Sequence, residues 1–186
     1  GMTNAGWETL FASGVNGNGA DVKAGDVLRF NFKGANGEDL VAEVAVTEKM
    51  IGDTIEDTTT NIVSALNKAT FLDNEDTVAD ESKFKVSDFF TATANKDKGG
   101  AAKSGSVQVE AATGVTGKFE LGDVEIKRTG DAAFSAIAAS GKISTIGTSA
   151  LAISSLSAAL CPMAGTSPLI WRPERTLRLA LTFRPP

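Results

Sequence analysis

Apolar side chains fall at every second position on both sides of an Asn-Gly pair. Leu28, Phe30 and Phe32 alternate with Arg29 and Asn31, Asn36-Gly37 follows, and Leu40, Ala42, Val44 and Val46 alternate again with Glu43 and Thr47 on the other face. Period-2 alternation flanking a dipeptide that accepts positive φ predicts a β-hairpin with one buried face. A Thr/Asp-rich link then leads to Ile62, Val63, Leu66 and Ala69, the i, i+1, i+4, i+7 spacing of a helix buried along one side. Residues 25–67 therefore predict strand, turn, strand and helix. Asp57 or Thr58 is the expected N-cap, because either side chain can accept from free amides of the first turn, and the helix is expected near 58–70.

Composition narrows what such a unit can do. The chain has 186 residues, 42% of them hydrophobic, enough for one domain with a core plus an appendage. It contains no His, which removes the usual general base and the usual transition-metal ligand. One Cys excludes an intrachain disulfide and a multi-Cys metal site, and Tyr is absent altogether. A net charge of −5 disfavours a nucleic-acid partner, which needs a basic surface to displace counterions. No apolar run is long enough for a membrane span. The expectation is a protein that is not an enzyme, with no catalytic, cofactor or metal residues assigned. Catalysis by an Asp/Glu dyad is the remaining enzymatic alternative.

Taken in order, residues 1–24 read as a polar N-terminal loop segment, in which Trp7, Leu10 and Phe11 form a short turn against the sheet. Gly1-Met2 reads as a tag remnant ahead of an initiator Met, with no signal peptide behind it. The run Gly14-Val15-Asn16-Gly17-Asn18-Gly19 is a loop by composition; it lacks the Lys and the following helix that a phosphate cradle needs. Residues 25–130 form the β-rich domain. Within it, Asp73-Asn74-Glu75-Asp76, with Asp80 and Glu81 beyond, is the sharpest acidic cluster. It is open to reading as a calcium loop, but its spacing departs from the EF-hand and lacks the Gly of that loop's sharp turn, so a solvated loop is preferred.

Phe84, Val86 and Phe89-Phe90 predict a further strand pair, or a strand and short turn, and Val107 and Val109 share a strand face. Phe119, Leu121, Val124 and Ile126 predict a last strand region interrupted at Gly122-Asp123. Gly-Asp-Val thus occurs at 25–27 and 122–124, as a distant duplication or as two turns solved alike, the second preferred. Residues 131–160 are rich in Ala, Ser and Ile, and Phe134, Ile137, Ile143, Ile146, Ile153 and Leu156 fit a helical period weakened by Gly141 and Gly147. Residues 161–186 hold all five Pro and four of the six Arg. That tail reads as a basic amphipathic partner-binding segment, as a disordered end, or as sequence outside the native reading frame.

Gly25-Asp26 opening a hairpin, a Thr/Asp link and then Asn61-Ile62-Val63-Ser64-Ala65-Leu66-Asn67 resembles the central-region repeat of flagellins and flagellar hook-associated proteins. There a Gly-Asp strand pair is followed by a short helix ending in Ala-Leu-Asn or Ala-Ile-Asn. The segment Ile143-Ser144-Thr145, continued by Ala150-Leu151-Ala152-Ile153-Ser154-Ser155-Leu156-Ser157-Ala158-Ala159-Leu160, is similar to the start of a flagellin C-terminal helix. The resemblance implies a structural subunit, or a surface-exposed domain, of an extracellular filament. It also implies neighbouring subunits as partners and export without a cleavable signal peptide. The alternative is a secreted or phage-virion binding module for glycans or a protein partner, for which Trp7 and Phe89-Phe90 are the candidate aromatics. The expected fold is α+β: a mainly antiparallel sheet of roughly five to seven strands with one packed helix and an Ala/Ser-rich C-terminal helical segment.

Overall fold

The computed structural model describes residues 5–12, 19–94, 105–139, 141–143 and 145–146. Within them the chain is α+β and mainly antiparallel, as the patterning predicts. The elements are β1 (Ala5–Glu8), β2 (Phe11–Ala12), β3 (Ala20–Asp21), β4 (Val27–Lys33), β5 (Asp39–Ala45), α1 (Ile55–Lys68), α2 (Val86–Phe89), β6 (Phe90–Ala94), β7 (Val107–Ala111), β8 (Phe119–Lys127), β9 (Ser135–Ala136), β10 (Gly141–Ile143) and β11 (Thr145–Ile146). One sheet runs β10-β1-β7-β6 and the other β11-β8-β4-β5, with β9 also on β8; β2 and β3 form a small parallel pair.

The predicted hairpin is β4 and β5, in register from Val27↔Ala45 to Lys33↔Asp39. Alternation does what it should: Leu28, Phe30, Phe32, Leu40, Ala42 and Val44 are buried, and the intervening residues are not. The turn is a three-residue loop rather than a two-residue one. Gly37 N–H donates to Gly34 O (3.0 Å), Gly34 N–H donates to Glu38 O (2.8 Å), and only Gly37 takes positive φ (+83°), the pattern of a turn closed by a glycine bulge.

α1 starts one turn before the expected position. Its N-cap is Thr54, whose Oγ1 accepts from Asp57 N–H (3.1 Å), not Asp57 or Thr58. Thr58 is buried, and its hydroxyl accepts from Gly52 N–H (2.9 Å). Glu56 and Asp57 in the first turn and Lys68 in the last complement the helix dipole. Ile62, Val63 and Leu66 are buried as predicted. The helix packs on both β5 and β6, the outermost strands of the two sheets on that side.

Between the sheets lies an aromatic core. The Trp7 ring sits edge-on to Phe30 and Phe32, at 5.9 and 6.2 Å between centroids. Phe32 stacks on Phe90 at 4.6 Å, and Phe90 meets Phe119 edge-on at 5.2 Å. Burying these rings is the largest single hydrophobic contribution the composition offers, because each removes well over about 100 Å² from water.

Three further expectations are corrected. Residues 5–8, 11–12 and 20–21 are strands, and β1 is an interior strand paired with β7 and β10, not part of a loop segment. Residues 135–136, 141–143 and 145–146, read as helical, are strands; 147–160 and the 161–186 tail lie outside the described residues. β-Branched Ile and Thr beside glycine suit a pleated ladder better than a helix, and pairing with β1 and β8 decides the matter. The two Gly-Asp-Val triplets are not alike. Gly25-Asp26 forms the turn into β4, whereas Gly122-Asp123 lies inside β8, at a β-bulge between the Phe30 and Phe32 pairings.

Candidate functional site

The hairpin turn, the segment after α1 and the residues ahead of β8 enclose an open groove of about 460 Å³. Leu40, Phe89, Val115 and Phe119 give it an apolar floor, and Val78 and Phe84 stand on one wall. Val78 is fully exposed and Phe84 is 44% exposed, unusual for large apolar side chains. Phe84 is held against Phe89 at 5.6 Å between rings, so part of its exposed face is fixed in direction.

The wall carrying Val78 is the acidic segment singled out from the sequence, and Glu81 organises it. The Glu81 carboxylate is buried, accepts from Asn74 N–H (2.9 Å) and accepts the Thr77 hydroxyl. Thr77 Oγ1 also lies 3.0 Å from the Asn74 and Ala79 carbonyls, and the Asn74 side chain accepts from Asp76 N–H (3.0 Å). The Thr77 hydroxyl and the Asn74 amide hold Glu81 below the usual carboxylate range. Asp73 is pushed the other way, by desolvation first and then by the charges of Asp80 and Glu81.

A calcium loop would spend its carboxylates on the ion. Here Glu81 is spent on the loop's own backbone and hydroxyl, and no three Asp or Glu side chains converge to hold a metal ion among the described residues. Of the aromatics proposed for binding, Trp7 and Phe90 are core residues; Trp7 Nε1 donates to Gly122 O (3.0 Å), tying the two sheets together. Phe89 is half-buried and does line the groove. Nothing in the sequence pattern marks Val78 and Phe84 as binding residues. The one available signal was Val78 standing alone among loop-forming polar residues. Of the 14–19 glycine run, only Gly19 is described.

Among the described residues no helix is long and apolar enough to cross a membrane. No family model, curated protein or solved structure matches this chain.

Proposed function

We propose that this chain is a structural domain displayed on an extracellular filament, flagellin-like, with neighbouring subunits as its partners and no catalytic role. One observation carries the reading. β1, the first described strand, and β10, which is followed by the last described strand β11, are antiparallel neighbours, Gly6 opposite Ile143 and Glu8 opposite Gly141, so an early and a late strand of the described residues run side by side. A domain held by two adjacent connections can project from a shaft without interrupting it. The resembling segment also folds as one strand-turn-strand-helix unit. An acidic, Gly/Thr-rich surface opposes lateral aggregation where many copies stand close together.

The test is immunogold electron microscopy of filaments sheared from the source cells, using antibody raised against residues 5–146. Regular decoration along the filaments is expected. Labelling confined to the cell interior, with bare filaments, overturns the reading.

A further inference from the structure

We propose that the groove between the β4–β5 turn and the 72–84 segment docks a cationic, amphipathic segment of a partner protein, with its apolar side chains on Phe84, Phe89 and Val78 and its Lys or Arg side chains over the acidic wall. Three observations converge on that occupant. The floor is apolar and the trough is open along one side, which suits a chain segment laid across it better than an enclosed small molecule. Val78 projects fully into solvent beside that floor, an apolar side chain without cover. Thr77, Val78 and Ala79 line the groove, and the same segment carries exposed Asp76 and Asp80 on either side of them, with exposed Asp73 and Glu75 just before; Glu38 lines the groove from the β4–β5 turn.

Charge complementarity selects among occupants. The segments 34–40, 72–89 and 115–119 that supply the lining hold eight carboxylates against Lys83, Lys85 and Lys118, so they are predominantly negative. A second copy of this acidic domain would bring like charges together, and an anionic lipid surface would be repelled. A basic segment gains on both counts, because its cations meet carboxylates and its apolar residues cover Val78 and Phe84. The proposal does not depend on the filament reading.

The test is fluorescence anisotropy with a labelled synthetic nonapeptide of alternating Lys and Leu, and a matched peptide of alternating Glu and Leu, on the full chain. The Lys-Leu peptide is expected to bind and the Glu-Leu peptide not to. Val78→Ser and the Asp76→Asn/Asp80→Asn double variant should each weaken binding by about tenfold or more. Glu48→Gln, away from the groove, should leave it unchanged. Val78 is fully exposed, so its replacement reads docking rather than folding. Equal binding of both peptides overturns the charge argument. Binding insensitive to Val78→Ser and to the double variant overturns the location, and no binding overturns the proposal outright. A dimer in sedimentation that Val78→Ser dissolves overturns it in favour of a second copy.

Discussion

The Asn67 carboxamide pairs with the peptide groups of Ala92 as another strand would: Asn67 Nδ2 donates to Ala92 O (2.9 Å) and Ala92 N–H donates to Asn67 Oδ1 (3.0 Å). β6 is the last strand of its sheet, so these are ladder groups left open after pairing with β7. Asn67 sits in the last turn of α1, in the Ala-Leu-Asn that carries the flagellin resemblance. The residue that closes the motif therefore closes a sheet edge, a position where an open strand invites pairing with another chain.

Asn67→Ala should remove both bonds and leave the Ala92 groups without a partner. The expected cost is about 2–3 kcal/mol, read as a fall in melting temperature of roughly 5–10 °C. Asn67→Asp keeps the acceptor for Ala92 N–H but points a carboxylate at Ala92 O, so it should be no more stable than Asn67→Ala at neutral pH and should recover on acidification. Equal melting of Asn67→Ala and wild type would show that solvent replaces both bonds.

The two Gly-Asp pairs should separate in energy. Asp26 is buried, accepts from Lys23 N–H (2.8 Å) and faces Arg128 Nη1 at 2.8 Å, while Arg128 also donates to Asp21 O. Asp26→Ala takes the anchor from the turn into β4 and leaves the Arg128 guanidinium without its carboxylate. The expected loss is about 2–4 kcal/mol in urea unfolding. Asp123 reaches Lys142 at the surface (3.1 Å), so Asp123→Ala should cost less than about 1 kcal/mol. Similar losses at the two sites would mean that burial does not set the worth of these pairs.

Acid should act on the groove wall through two carboxyls with opposite signs. Glu81 has its pKa lowered by folding, so its contribution is present above the ordinary carboxylate value and is lost as pH falls through the lowered one. Asp73 has its pKa raised, so its charge works against folding near neutrality, and that penalty is relieved as pH falls through the raised value. Glu81→Gln should therefore be less stable than wild type at neutral pH and flatter towards acid. Asp73→Asn should be the more stable at neutral pH. Urea unfolding from neutral to acid pH checks both, and amide exchange at Asn74, which Glu81 caps, places the effect in this loop. Identical profiles for all three proteins would remove Glu81 as the organiser of the wall.

What could be read from the sequence is what local periodicity encodes. Leu28, Phe30 and Phe32 against Leu40, Ala42 and Val44, and Ile62, Val63 and Leu66 after them, each signal their burial within a dozen residues. β1 could not be read in this way. Ala5, Gly6 and Trp7 are consecutive buried residues of an interior strand, so no alternation marks them, and their partners lie about a hundred residues away at Val107, Gln108 and Val109. The break seen at Gly122-Asp123 was real, but only pairing with β4 identifies it as a bulge. Sequence alone does not place the N-cap, because Asp57 and Thr58 are as good capping residues as Thr54; the extended backbone at Thr54 selects it. Exposure of Val78 and Phe84 depends on how the 72–84 segment lies against the hairpin turn, which no window of sequence reports.

Two glycines with similar φ should respond differently to alanine. Gly37 (φ +83°) has nothing within 4 Å of where a Cβ would stand, so Gly37→Ala meets only the left-handed backbone penalty, about 1–2 kcal/mol. Gly105 (φ +76°) would place its Cβ 1.9 Å from Phe11 O. Its own carbonyl accepts from both Leu10 N–H (2.9 Å) and Phe11 N–H (3.0 Å), so the two segments cannot part without breaking those bonds. Next to them, Ser106 Oγ accepts from Thr9 N–H (3.2 Å), and Thr9 itself holds φ at +47°. Gly105→Ala has to displace backbone that positions the buried Leu10 and Phe11, and should cost more than about 3 kcal/mol. Comparison of the two variants by urea unfolding decides it. A Gly105→Ala protein as stable as Gly37→Ala would mean that the contact between Gly105 and Phe11 is looser than these distances require.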